Sequence, residues 1–463
     1  MTRLVVVSNR VEEAGKNQTS VGGLAVSIQA ALETYGGIWF GWSGKYAAKV
    51  SVRPNVTSTN GLTYATLDLS PQDYEEYYSG YANRVIWPVF HYRPDLMTFR
   101  RKDYDGYRRV NAYFAKKLAP LLEGDDFIWV HDYHLIPLAH ELRQKGVNHP
   151  IGFFLHIPFP VPEVLTALPG HHELVESLCA YDVVGFQTEM DLYAFHNYIT
   201  REIQGQVMSN GIVKANGRTF FAGVFPIGID VENAAAVAED SKKSTTTVKM
   251  QESLHGRPMI IGVDRLDYSK GIMERFLAFE HFLQVCPEFQ EQCATLIQIA
   301  PLSRSDVQEY KEMRDEISTA AGRINGRFSE FNWVPIRYMN HRFKRRTLMG
   351  FFRTSHVGFV TPLRDGMNLV AKEYIAAQDP EDPGVLVLSH FAGAVHELDD
   401  HSLVVNPYNI EEVADALKQA LVMPLDERQA RWTEMMKTLR RNDITTWREK
   451  FVAALREAPY SVN

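Results

Sequence analysis

Residues 361–373, T-P-L-R-D-G-M-N-L-V-A-K-E, set a tight turn, a helix start and a carboxylate side by side. An apolar run at residues 356–360 reads as a buried strand. Asp365-Gly366 then breaks the pattern, and Met367, Leu369, Val370 and Ala371 open a helix. A helix start leaves backbone N–H groups unpaired and carries partial positive charge, so it can hold a phosphate or a carboxylate. Glu373, a turn further in, is placed to reach vicinal hydroxyls of a sugar; the plainer alternative makes Asp365 a cap and Glu373 part of a solvated face. Arg265 and Lys270 likewise follow a strand and precede a helix. Two cations beside a helix N-terminus can neutralise a diphosphate leaving group without a metal, although the same pair could be a surface salt-bridge partner set. Arg304 follows another strand of this half. The first half contributes Arg10 with Gly22 and Gly23, then Asp132, then His156. Paired glycines before a helix let backbone approach a ligand closely, but their spacing is not that of the nicotinamide fingerprint. Tyr78 and Trp87 belong to aromatic stretches that suit either a core or a carbohydrate face.

These residues sit at element ends. In the first half, strands are expected at residues 4–8, 38–42, 127–130, 151–155 and 183–186, and helices at 24–34, from Ser70-Pro71, at 135–145 and at 188–201. Asn210-Gly211 and Asn216-Gly217 mark hairpin turns between residues 207 and 224. The polar stretch 232–256 places a domain junction near Asp230. The second half restarts the rhythm, with strands at 259–263, 295–299, 333–338, 356–360, 385–388 and 403–405 alternating with helices. Polar residues gather just past strand ends, where open α/β sheets bind ligands. The fold class is therefore α/β, with two Rossmann-like doubly wound domains facing a cleft: residues 1–230, residues 231–444, and a last helix at 445–463 crossing back to the first domain.

The chain of 463 residues carries a net charge of −7 and no dense basic block, which argues against a nucleic-acid partner. No apolar run approaches a membrane span, and the N-terminal run is too short for a signal peptide. Three cysteines without a CxxC pair argue against a disulfide framework or a zinc knuckle. A reduced, cytoplasmic protein without metal or other cofactor is expected, with a homo-oligomer (dimer or tetramer) left open.

Taken in order, S-V-G-G-L-A from Ser20, W-F-G-W-S-G from Trp39, H-D-Y-H from His131, H-I-P-F-P from His156, R-L-D-Y-S-K-G from Arg265 and D-G-M-N-L-V-A-K-E from Asp365 resemble the trehalose-6-phosphate synthases. These are retaining glycosyltransferases of the two-domain GT-B fold, and the resemblance runs over nearly the whole chain. It implies UDP-glucose as donor and glucose 6-phosphate as acceptor. Arg265, Lys270 and the helix from Leu369 would grip the diphosphate. Glu373 would hold the ribose, Phe343 would border the uracil, and Asp365, Gly366, Met367 and Asn368 would meet glucose hydroxyls. Val370, Ala371 and Lys372 complete the donor set, which Gly22, Gly23 and His156 would also reach. Arg10, Tyr78 and Arg304 would bind the acceptor phosphate, with Trp87 and Asp132 on its sugar. The implied catalytic set is Asp132, His156, Arg265 and Lys270. Asp264 departs from the glutamate the resemblance leads one to expect, a change expected to matter little.

Retention ordinarily calls for a carboxylate nucleophile and two inversions. Asp132 is the one carboxylate expected in the first-domain site, and the resemblance assigns it to acceptor binding. A front-side displacement without a covalent intermediate is therefore expected. Three rivals stand beside this reading. His131 and His134 flanking Asp132 suggest a metal hydrolase but lack a third ligand at a recognisable spacing. A sugar-phosphate sensor would have lost part of the constellation. A related enzyme coupling cyclitol units would share many of these stretches.

Overall fold

The structure, a computed structural model, describes residues 3–11, 28, 32, 35–48, 53–59, 62–303 and 308–458. Its packing divides the chain into two compact units. One comprises Met1–Pro226 with Trp447–Asn463, the other Ile227–Thr446. Of the helix expected at 24–34, Ile28 and Leu32 are described, helical and buried, and the rest of it, with Gly22, Gly23 and Arg304, lies outside the described residues.

Among the described residues the first unit is built on a ten-stranded sheet. Its strands are β1 (Leu4–Arg10), β2 (Gly37–Tyr46), β3 (Asn55–Thr59), β4 (Leu62–Leu69), β5 (Phe127–His131), β6 (Ile151–Phe154), β7 (Val183–Phe186), β8 (Gln206–Val207), β9 (Ile212–Ala215) and β10 (Arg218–Val224). The spatial order is β3-β4-β2-β1-β5-β6-β7-β10-β9-β8. From β4 to β10 every pairing is parallel. Leu4, Val5, Val6 and Val7 are fully buried because a central parallel strand is covered on both faces, which is why this stretch reads as an unbroken apolar run. Asn216 and Gly217 both have positive φ between β9 and β10, the tight hairpin turn an Asn-Gly pair favours.

Strands β3 and β4 were not expected: their mixed Thr, Ser and Asn content hides the pattern. Residues Tyr74–Ile86 wind as a π-helix after Ser70, whose side chain accepts the Asp73 N–H at 3.0 Å. The stretch read as a polar junction also forms two helices, Val231–Ser241 and Thr245–Leu254, the first capped by Asp230.

The helix Ile444–Glu457 closes the first unit's core. The Phe451 ring stacks on Trp129 with centroids 4.7 Å apart. It fills the space that Gly152 and Gly185 leave on β6 and β7, where an added Cβ would lie 2.7 and 2.8 Å from it.

The second unit carries β11 (Met259–Val263), β12 (Thr295–Ile299), β13 (Ile336–Met339), β14 (Val357–Val360), β15 (Val385–Ser389) and β16 (Leu403–Val405), in the order β13-β12-β11-β14-β15-β16 and parallel throughout. This is the doubly wound order, in which connections run outward in opposite directions from β11 and β14 and open a crevice beyond their carboxyl ends. In the first unit, β4-β2-β1-β5-β6-β7 repeats the order, so its corresponding crevice lies beyond β1 and β5. Among the described residues no helix is long and apolar enough to cross a membrane.

Candidate active site

In the second unit, β11 runs out at Val263 into Asp264 and Arg265, and β14 into Thr361 and the Asp365 turn. Asp264 is buried and pairs with Arg275, whose Nη1 lies 2.6 Å from its carboxylate. The same Nη1 donates to Gln298 at 2.8 Å, Nε donates to the Thr361 hydroxyl at 3.1 Å, and Nη2 donates to the Lys270 carbonyl at 3.3 Å. One buried guanidinium thus braces β11, β12, β14 and the Lys270 turn, and Asp264 is its counter-ion rather than an incidental residue. Gly271, at φ +63, follows Lys270; a Cβ there would stand 2.5 Å from the Thr361 carbonyl oxygen, so the two crevice loops meet only over glycine.

Lys270 is buried and its ammonium is ion-paired with Asp365. Asp365 also accepts from Asn368 Nδ2 at 3.0 Å. Asn368, at φ +73, caps the helix Leu369–Ala377 and accepts the Ala371 N–H at 3.4 Å. The capping bond leaves the amides of Leu369 and Val370 at the helix mouth. Ion pair, cap and helix start therefore form one connected group, with Arg265 exposed at the end of β11. Glu373 accepts from Arg345 Nε at 3.2 Å; burial pushes its carboxyl upward and Arg345 opposes that shift. Phe343 is half-buried against His341 and Phe351. Lys372 faces elsewhere. Fully buried, its ammonium is taken up by Glu397 and by the Ile227 carbonyl at 2.8 Å, so only its backbone is left for a ligand.

The loop after β15 was not singled out from the sequence, yet it splints this group. The Asp365 N–H donates to the Phe391 carbonyl at 3.1 Å, the Gly393 N–H to the Asp365 carbonyl at 3.1 Å, and the Ala394 N–H to the Met367 carbonyl at 2.7 Å. A Cβ on Gly393 would stand 1.9 Å from the Gly366 carbonyl oxygen. A glycine just past a strand end was the only signal. Gly393→Ala is expected to push the Asp365 turn aside and lower kcat/KM about 10- to 100-fold, the scale of an ångström-level misplacement, as read by initial rates beside a thermal melt.

In the first unit, Arg10 ends β1 with its guanidinium 5.9 Å from the Trp42 ring centre, over Gly44. Asp132, just past β5, has φ +76 and ψ 163. This sparsely populated backbone costs about 1–3 kcal/mol and is held by the Asp132 N–H donating to the Phe154 carbonyl at 2.8 Å. Its carboxylate accepts the His156 N–H at 3.3 Å. Tyr78 comes from the π-wound segment, half-buried and stacked on His134 with centroids 5.6 Å apart. Trp87 is a core residue, against His91 and Tyr133.

His131 Nδ1 and His156 Nε2 lie 3.1 Å apart. Burial holds both imidazoles below their ordinary range, His156 at about 3. The unfolded chain then binds the proton first, so this contribution to stability is complete above the ordinary value near 6.5 and is lost as the pH falls toward 3. Between pH 7 and 5 the loss amounts to about 2 kcal/mol for one histidine. His156→Gln is expected to reduce the acid loss by that amount in urea titrations at the two pH values.

Among the described residues no three His, Cys, Asp or Glu side chains gather as a metal site would require, and His131 and His134 are no exception.

The profile of glycosyltransferase family 20 matches residues 2–457. The trehalose-6-phosphate synthase of Enterobacter sp. (strain 638) is 51% identical over 463 residues, covering 100% of this chain and 97% of the relative. Among solved structures, the alpha,alpha-trehalose-phosphate synthase (UDP-forming) from Burkholderia vietnamiensis superposes with a TM-score of 0.96 at 52% identity, over 99% of this chain and 97% of that one. A UDP-forming synthase from Burkholderia xenovorans in complex with glucose-6-phosphate gives a TM-score of 0.94 at 49% identity, over 98% and 100%.

Proposed function

The chain belongs to glycosyltransferase family 20 and is an enzyme that transfers glucose to glucose 6-phosphate, and we propose that it does so from UDP-glucose with retention, by front-side displacement and without a metal ion. The observation that carries the proposal is the connected group of Lys270, Asp365 and Asn368 at the mouth of the helix Leu369–Ala377. An ammonium has three donors. Lys270 can keep one on Asp365 and turn the others, with Arg265 and the amides of Leu369 and Val370, to the diphosphate. Asp365, oriented by Asn368, accepts from glucose hydroxyls, and the Arg345-held carboxylate of Glu373 accepts from the ribose diol beside Phe343. In the first unit Arg10 and Tyr78 hold the acceptor phosphate and Asp132 holds the acceptor sugar; Arg304, from the second half of the sequence, is proposed for the same phosphate.

The acceptor hydroxyl oxygen bonds to the anomeric carbon on the face the diphosphate leaves. The carbon–oxygen bond to the β-phosphate breaks with its electron pair on that phosphate, which takes the acceptor proton. UDP and α,α-trehalose 6-phosphate result. Charge builds on the phosphate oxygen, and cations and amides fixed in advance around it lower the barrier. Asp132, occupied with the acceptor, forms no covalent bond to the anomeric carbon. A 2-fluorinated donor that left a stable adduct on Asp132 would overturn the front-side route. We infer a cytoplasmic location for this activity.

The assigning experiment is turnover of purified protein with glucose 6-phosphate and UDP-, GDP- or ADP-glucose, scoring nucleotide release and the disaccharide product. Fastest release with UDP-glucose is expected. Release with no nucleotide sugar, or only with an amino-cyclitol phosphate as acceptor, would contradict the assignment.

A further inference from the structure

The adjacent parallel strands β5 and β6 end in two histidines whose rings touch. His131 closes β5 and is 1% exposed; His156 follows β6 and is half-buried. The 3.1 Å separation of His131 Nδ1 and His156 Nε2 is a nitrogen-to-nitrogen hydrogen bond, and such a bond holds one proton. Which ring supplies it follows from the far side of His131. There Nε2 is buried without a hydrogen-bond partner among the described residues. If His156 were the donor, His131 would carry its proton on Nε2, and that N–H would be buried with nothing to accept it. If His131 is the donor, Nε2 keeps only a lone pair, the less costly orphan. The neighbours point the same way. The indole rings of Trp129 and Trp447 lie 4.6 and 6.3 Å from the His131 ring, and their N–H groups are buried donors without partners among the described residues, so those surroundings offer protons and no acceptor.

The His156 ring is enclosed as well. Phe154 meets it edge-on at 4.7 Å and Trp447 stands 6.3 Å away, while its backbone N–H is held by Asp132. With Nε2 accepting from His131, the proton of His156 must sit on Nδ1, the one ring nitrogen left for a ligand.

We propose that His131 is a positioning residue: it locks the ring and tautomer of His156 so that Nδ1–H is the donor offered to the glucosyl donor, with Trp447 of the C-terminal helix walling the pair. The proposal rests on the proposed glucosyl transfer and on the expectation, implied by the family resemblance, that His156 reaches the donor substrate. A histidine that could rotate or exchange tautomers would present a bare nitrogen part of the time. A fixed donor costs no reorganisation during the reaction.

Two readouts test it. Ring-nitrogen NMR of the full, ligand-free chain labelled with 15N-histidine, with His156 assigned by its loss in His156→Gln, should show a protonated Nδ1 and a bare Nε2. His131→Phe, which keeps a ring and removes the donor, should mix the His156 tautomers and lower kcat about 10- to 100-fold while leaving the KM for glucose 6-phosphate unchanged. His131→Asn, whose amide N–H can stand where Nδ1 stood, should restore most of the loss. A protonated Nε2 on wild-type His156 overturns the proposal, and so does equal loss in the Phe and Asn variants, the mark of a merely structural role. Full activity of His131→Phe overturns it too. A wild-type chain that turns over no nucleotide sugar sinks instead the reading on which the proposal rests.

Discussion

Lys270→Ala lowers kcat with UDP-glucose by about 10²- to 10³-fold, the cost of removing one preorganised donor from a developing anion. Its effect exceeds simple loss of a contact, because Asp365 is left beside the diphosphate with its ammonium partner gone and the neutral Asn368 amide still donating to it. The pair is therefore expected to be non-additive. Adding Asp365→Asn to Lys270→Ala costs little more than the single change, although Asp365→Asn alone removes an acceptor of glucose hydroxyls. Lys270→Arg rescues poorly, since a planar fork cannot replace a compact ammonium held between a carboxylate and a phosphate. Initial rates of UDP release, with a thermal melt of each variant, read these outcomes. A Lys270→Ala enzyme within threefold of wild type would show that the ammonium carries no leaving-group charge.

Arg275→Met destabilises the chain by about 3–5 kcal/mol, because it strands a buried carboxylate. Asp264 lies beneath the sheet end, its charge met by Arg275 at 2.6 Å, and Gln298, Thr361 and the Lys270 carbonyl share the same guanidinium. Removing both charges in Asp264→Asn/Arg275→Met should recover part of the loss, as replacing a whole buried pair is far cheaper than breaking it. Urea unfolding gives the energies. A loss below 1 kcal/mol in Arg275→Met would mean that the brace does not hold the crevice loops. In the double variant the Lys270 turn still lacks the donor to its carbonyl, so kcat stays depressed after stability has partly returned.

Much of this architecture was legible because parallel strands covered on both faces are written as continuous apolar runs. Met259–Val263, Thr295–Ile299, Val183–Phe186 and Leu403–Val405 were bounded correctly from that signal alone. The candidate site was legible as far as polar residues cluster at strand ends: Arg10 ends one of the strands that flank the two crevices, and Asp132, Arg265 and Asp365 follow the others. What stayed hidden depends on partners distant in the chain. Arg275 reads as one more charged position on an amphipathic helix, and its burial is set by groups on β12 and just past the ends of β11 and β14. Lys372 reads as part of a ligand-binding run, yet Glu397 and Ile227 claim its ammonium. The tolerance for Gly393 alone comes from a carbonyl brought against it by the fold. The π winding of Tyr74–Ile86, which places Tyr78, leaves no periodic mark that distinguishes it from an ordinary helix.

The central claim is that the departing diphosphate is neutralised by the protein's own guanidinium, ammonium and amide hydrogens. The most direct measurement is the rate of UDP release from UDP-glucose and glucose 6-phosphate by protein stripped of divalent ions and assayed in excess chelator. The rate is predicted to match that of the untreated enzyme and to be unmoved by added magnesium or manganese. A rate that collapses in chelator and returns with either ion would contradict it.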